Sequence, residues 1–284
     1  MVRDLARFGD TAWPFTPLAR DFYSPDQPRV PAGSPEGGQF QPKDGATAGS
    51  ATLQKGGTFL KGSAFDEMFP GKSEADFEKM ASDMVASSGI KFEVRIAPGK
   101  GDFGEPGVQL HFKEPGPTSD ETTQWYGTFL ISDDGEMVFD LGGIKVGDSK
   151  QGAGIARSLL KDIASTAQAN GATAIQLHAN IDVGAYAWAR AGFVPYAKWN
   201  RVKDEVTERL VDLVDENKIP QSMADHLEAS MKTGSKGIWD VADARYGGAN
   251  IGFELLKGNN WYGRLKFSDG KAKARFDHYV NKAS

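Results

Sequence analysis

Apolar residues follow two rhythms along this chain. Phe77, Met80, Met84 and Val85 sit at helical spacing behind Ser73-Glu74-Ala75-Asp76, a capping-box-like start with Asp in place of Glu. They predict an amphipathic helix from 73 to about 88. Period-two alternation takes over at Phe92-Glu93-Val94-Arg95-Ile96 and again at Val108-Gln109-Leu110-His111-Phe112. Strands over 123–131 and 137–146 follow, separated by Asp133-Asp134-Gly135, a tight-hairpin signal. Ile155, Leu159, Ile163 and Ala167 return to a spacing of four and predict a helix from about 152 to 170, stopped by Gly171. The strand over 137–146, the glycine-rich turn, this helix and a strand over 174–179 make a strand–helix–strand crossover, which requires two parallel strands; a short helix over 184–191 ended by Gly192 and a strand from Phe193 follow. Beyond Trp199 the spacing is mostly helical: Val206, Leu210, Leu213 and Val214, then Met223, Leu227 and Met231 after Pro220. The end is mixed, with apolar stretches over 251–256 and 261–267 and a short helix to about Val280.

Neither rhythm reaches the first 60 residues. Seven of the 14 prolines lie in the first 42, and the stretch from 28 to 57 has almost nothing to bury. Such a segment cannot offset an ordering cost of about 1–2 kcal/mol per residue. Trp13, Phe15, Leu18, Phe22 and Tyr23 supply aromatic anchors ahead of it. The division expected is an extended or disordered arm over 1–60, a globular α/β domain over 61–200, and a mostly helical C-terminal extension over 201–284.

Composition narrows the classes. The 284 residues carry 33 basic and 38 acidic side chains, a net charge of -5, which disfavours generic binding to nucleic acid or anionic membrane. No apolar run approaches a membrane span, and the first ten residues lack a secretory apolar core. Without cysteine there is no thiolate chemistry and no Cys-ligated zinc. His111, His178, His226 and His278 show no ligand spacing, so no metal is expected; His178, beside the crossover, is the one to watch.

The chemistry concentrates at one junction. Asp140 to Val146 form a buried strand, 147–150 a polar loop, and Gln151-Gly152-Ala153-Gly154-Ile155-Ala156 opens a helix. Glycines allow close backbone approach, and first-turn N–H groups with the helix dipole favour an anion such as phosphate. A plain strand-to-helix turn has the same spacing. No Walker A loop is present, and the junction is not a dinucleotide GxGxxG either.

This junction resembles the acyl-CoA-binding motif of the GCN5-related N-acetyltransferases (GNAT), [QR]-x-x-G-x-[GA], with Gln151, Gly154 and Ala156 at its defined positions. A second landmark, Ala185-Tyr186-Ala187-Trp188-Ala189-Arg190-Ala191-Gly192-Phe193, follows about 40 residues on, with a strand between. The resemblance covers 137–196, or from about Phe92 if the earlier strands are included. It implies a mixed, mainly antiparallel sheet with one βαβ crossover, flanked by helices. It implies that Ile144 and Val146 pair through their backbones with pantetheine where two parallel strands splay. The N–H groups of Gln151, Gly152, Ala153, Gly154, Ile155 and Ala156 would hold the pyrophosphate of acetyl-CoA. Asp140 would activate an amine through water, and a strand N–H would polarise the acyl carbonyl. The family's usual acid, a Tyr four residues before Gly192, is replaced here by Trp188, a very poor acid. Tyr186 in its stead, protonation from water, and cofactor binding without turnover all stay open.

The stretch from Pro28 to Phe40 resembles a Pro/Gly-rich segment common in tailed-phage head-morphogenesis and other virion-associated proteins. It implies a bacteriophage or prophage origin, hence a bacterial host cytoplasm or the virion itself. Gly37-Gly38-Gln39 within it matches the release-factor tripeptide but lacks basic flanks. Five Lys/Arg against one Asp between 263 and 275 make a locally basic patch, which a solvated face or an acidic partner would equally explain. The expectation is an acetyltransferase acting on an amine acceptor. The alternative is an inactive virion assembly protein whose arm docks on a phage head protein.

Overall fold

The computed structural model describes residues 58–59, 63–116, 118, 120–151, 153–179 and 184–281. The first 57 residues, with the aromatic anchors and the Pro28–Phe40 stretch, lie outside the described residues, as does Gly152.

The architecture is α/β. Strands β1 (Thr58–Phe59), β2 (Glu93–Lys100), β3 (Pro106–Lys113), β4 (Gln124–Ile131), β5 (Met137–Lys145), β6 (Ala174–Ala179), β7 (Val194–Ala197) and β8 (Trp261–Lys266) form one mixed sheet in the order β1-β2-β3-β4-β5-β6-β8-β7. Within it β1–β2 and β5–β6 pair in parallel, and the remaining neighbours are antiparallel. Helices α1 (Ser63–Met68) and α2 (Glu74–Asp83) lie between β1 and β2, α3 (Ile155–Ala169) between β5 and β6, and α4 (Gly184–Arg190) between β6 and β7. Helices α5 (Trp199–Asp215), α6 (Gln221–Lys232), α7 (Gly237–Asp243) and α8 (Ile251–Leu256) separate β7 from β8, and α9 (Gly270–Asn281) ends the fold.

Local chemistry explains the elements that matter for the site. The hairpin signal at 133–135 is realised: Gly135 takes φ 78, which favours glycine, and the Ser132 N–H reaches the Glu136 carbonyl at 2.9 Å. Ser73 caps α2 reciprocally with Asp76, as its sequence demands, although the helix stops at Asp83 rather than 88. Helix α3 starts at Ile155 and turns Ile155, Leu159, Leu160, Ile163 and Ala167 into the core. One face of the sheet, with Phe129, Phe139, Leu141, Ile175, Leu177 and Leu265, packs into that core together with residues of all the helices.

The segment from 201 onward is mostly helical, and it also contributes one strand to the sheet. The strand at 261–266 needs partners for both edges and finds them on β6 and β7. Residues 199–256 are therefore an insertion between two strands of the same sheet. The stretch over 251–256 is helix α8, with its Asn250 side chain capping the Phe253 N–H at 3.1 Å. Among the described residues, no helix is long and apolar enough to cross a membrane.

Candidate functional site

Strand β5 holds the centre of the site because its two edges behave differently. Toward β4 it stays paired through Lys145, with one irregularity: Tyr126 pairs with Gly143 and Gly127 with Leu141, so Gly142 is an extra, bulged residue. Toward β6 the register ends at Leu141–Leu177, although β5 runs on to Lys145 and β6 to Ala179. The two parallel strands part there. Ile144, Val146 and Ala153, all partly exposed, stand at this parting with the apolar core behind them.

From the parting, β5 runs through a loop into α3. The loop is stapled to residues 120–123: Asp148 N–H to the Asp120 carbonyl at 3.0 Å, Gly147 N–H to Thr123 Oγ1 at 3.2 Å, and Lys150 Nζ to the Glu121 carbonyl at 3.1 Å. Gln151 turns inward on the loop itself, its amide donating to the Val146 carbonyl at 3.2 Å and to Asp148 Oδ1 at 2.9 Å. Its side chain thus shapes the cradle rather than extending from it. Gly154 precedes the helix at φ 77, and among the described residues no side-chain hydrogen bond caps the first turn of α3. A helix start without a side-chain cap presents backbone donors and the positive end of the dipole to an anion.

On the sheet face away from the main core, Leu130, Val138 and Ala174 make a small apolar cluster, and the next positions along turn polar. Gln109, Thr128, Asp140, Gln176 and Arg264 stand in register across five strands. Arg264 donates to Gln176 Oε1 at 3.0 Å, and Gln176 stands directly opposite Asp140 in the β5–β6 pairing. The guanidinium also lies over the Tyr196 ring, 4.5 Å from its centroid. The tip of the β2–β3 hairpin, residues 101–105, folds onto this row. Asp102 N–H donates to Asp140 Oδ2 at 2.9 Å, and the Phe103 ring meets Tyr262 at 4.7 Å. His178 stacks on the same Tyr262 at 4.5 Å, with Nε2 2.7 Å from Asn260 Oδ1.

Asp140 is 4 % exposed beneath that tip. Burial, then the neighbouring Asp102 and Glu105 carboxylates, push its carboxyl up to about 7, against the hydrogen bond from Asp102 N–H and the Gln176 side-chain amide. Burial and the Asp140 and Asp102 carboxylates raise Tyr126 and Tyr196, keeping both phenols protonated. A carboxyl poised near neutrality in a polar row beside an opening between strands suits a general base.

The sequence-selected residues divide among three places. Asp140 faces the polar row. Ile144, Val146, Gln151, Ala153, Gly154, Ile155 and Ala156 run along the parting and into α3, with Ile155 buried and Ala156 exposed. Tyr186 points elsewhere: its hydroxyl accepts from Asn250 Nδ2 at 2.8 Å and from Arg190 and Arg245 at 3.3 Å each, among helices of the insertion. Burial opposes its ionisation, but the Arg245, Asn250 and Arg190 contacts outweigh it and lower the phenol. Trp188 packs edge-on against Phe193 at 5.2 Å. Asp102, Glu105, Tyr126, Gln176, Tyr196 and Arg264 were not singled out from sequence. Gln176, polar inside the otherwise apolar Ala174-Ile175-Gln176-Leu177, was the available signal.

No family model matches the chain, and no curated protein or solved structure matches it.

Proposed function

We propose that the chain is an acyl-CoA-dependent N-acetyltransferase of the GCN5-related type, moving an acetyl group from acetyl-CoA to an amine. The observation that carries this reading is the parting of β5 from β6 at Leu141–Leu177, continuous through a stapled loop with a helix start that no side chain caps among the described residues. A bulged strand leaves backbone groups beyond Leu141 turned toward the gap, and these suit the amides of a pantetheine arm. The residues present fit the cofactor: Ile144 and Val146 would hold the arm, and the N–H groups of 153–156 the pyrophosphate.

Acetyl-CoA supplies an activated thioester when bound. The chain's own groups do the rest. Asp140 takes a proton from the incoming ammonium, reaching it through water because the carboxyl is buried under the hairpin tip. Gln176, itself held by Arg264, stands opposite that carboxyl on β6. The hairpin tip excludes bulk water, and direct transfer needs no covalent enzyme intermediate.

Thiol release from acetyl-CoA, followed colorimetrically with a panel of small amines and lysine peptides, tests the reading. Amine-dependent release whose rate rises with pH through about 7, as Asp140 ionises, is the expected result. No amine-dependent release by any acceptor, together with no binding of acetyl-CoA at millimolar concentration, would overturn it.

A further inference from the structure

Amine attack on a thioester leaves a thiolate to be protonated, and neither aromatic residue of the second landmark is placed for this. Trp188 is committed to packing, and the Tyr186 hydroxyl is held by three donors among the helices of the insertion. A different hydroxyl stands at the parting. The Tyr126 ring lies flat on β5 where it leaves β6. A Cβ built on Gly142 would fall 1.9 Å from Tyr126 Cε2 and 2.6 Å from Cζ, and one on Gly143 would fall 3.6 Å from Cε1. Glycine at 142 is what lets an aromatic ring cover the strand so closely. Tyr126 is two residues from Thr128, the cross-strand neighbour of Asp140, so ring and carboxyl share a face. The side chain is half-buried, and no hydrogen bond engages its hydroxyl among the described residues.

We infer that Tyr126 is the proton donor to the leaving thiolate, a role that rests on the acetyltransferase reading above. The amine nitrogen bonds to the acyl carbon while the C–S bond breaks and its electron pair goes to sulfur. Asp140 first passes the proton taken from the ammonium to solvent; on attack Tyr126 gives its hydroxyl proton to that sulfur, and the ionised Asp140 receives the second proton lost by nitrogen. Exchange between Asp140 and the phenolate then restores both groups, so the pair gains and loses no net proton. Burial and the charges of Asp102 and Asp140 raise the phenol above its ordinary value. Tyr126 therefore keeps its proton until a thiolate forms, and a carboxylic acid near pH 7 is strong enough to replenish it.

Tyr126→Phe keeps the ring over Gly142 and removes only the hydroxyl, so its far-ultraviolet circular dichroism and its melting temperature should match the wild type. At saturating acetyl-CoA its kcat should fall about a hundredfold or more, with calorimetric affinity for acetyl-CoA within twofold. The alkaline limb of the wild-type kcat profile should disappear. In a protein labelled at tyrosine 13Cζ, the resonance missing from Tyr126→Phe should shift when acetyl-CoA binds. A wild type that turns over, with an unchanged kcat in Tyr126→Phe or an unmoved resonance, overturns the role of Tyr126 and leaves the acetyltransferase reading standing. A wild type that neither binds nor turns over acetyl-CoA overturns both.

Discussion

Asp140→Asn is expected to lose acetyl transfer by about 10²–10⁴-fold while becoming more stable than the wild type at alkaline pH. Both effects share one cause. The wild-type carboxyl is buried beside Asp102 and Glu105 and titrates at about 7 instead of its ordinary 3.8. A raised carboxyl binds its proton more tightly in the folded chain than in the unfolded one. Its contribution to stability is therefore fully present below about pH 4 and is lost as pH rises through about 7. The difference between those limits is about 4 kcal/mol, converted at ~1.36 kcal/mol per unit. Asn keeps an acceptor for the Asp102 N–H and carries no charge. Thermal melts should show the variant above the wild type by roughly 5 °C or more at pH 8–9, with the gap closing below pH 5. The pH–rate profile should lose its limb near 7. A variant with wild-type turnover, or with a pH-independent stability difference, would contradict the assignment of Asp140.

Gly147→Ala should damage the cradle. The glycine has φ -55 and ψ 144, which any residue adopts, so conformation is not the obstacle. Space is: a Cβ there would lie 2.2 Å from the Glu121 carbonyl oxygen and 2.6 Å from its carbon. These are backbone atoms, which cannot rotate aside as the end of a side chain could. The loop must lift away from 120–123, breaking the Asp148–Asp120 and Gly147–Thr123 hydrogen bonds. Overpacking of this kind costs about 1–3 kcal/mol. It also moves the start of α3, so affinity for acetyl-CoA should fall at least about tenfold, equivalent to ~1.4 kcal/mol. Gly143→Ala is the stability control, because its nearest neighbour would be 3.6 Å away, an ordinary contact. Equal melting temperatures and equal calorimetric affinities for Gly147→Ala and the wild type would show that the stapled loop is not part of the site.

The sequence spoke clearly wherever neighbours in the chain are neighbours in space. The four-residue spacing from Ile155 to Ala167, with Gly171 behind it, specifies α3, and the strands on either side of it have only a parallel pairing available. Asp140 entered only through the family resemblance, as a carboxylate ahead of the glycine-rich helix start. The companions of Asp140 were not legible. Gln176 lies opposite Asp140 on β6, 36 residues away, and Arg264 and Tyr196 join them only when β8 enters between β6 and β7. Alternation along 261–266 marks a strand but says nothing about which edge it will join. Asp102 reaches Asp140 because the β2–β3 tip curls over the sheet, a tertiary bend that no local period encodes. Tyr186 shows the opposite case: its position in the motif suggested chemistry, but Arg190, Arg245 and Asn250 take up its hydroxyl once the helical insertion folds against α4.

The most direct test of where the acyl donor sits is an amide-resolved titration of the 15N-labelled chain with acetyl-CoA. Saturable shifts at micromolar to low millimolar ligand, concentrated at Ile144, Val146 and the amides of 153–156, are the expected result. Amides unmoved at millimolar acetyl-CoA, or shifts confined to residues away from the parting of β5 and β6, would contradict it.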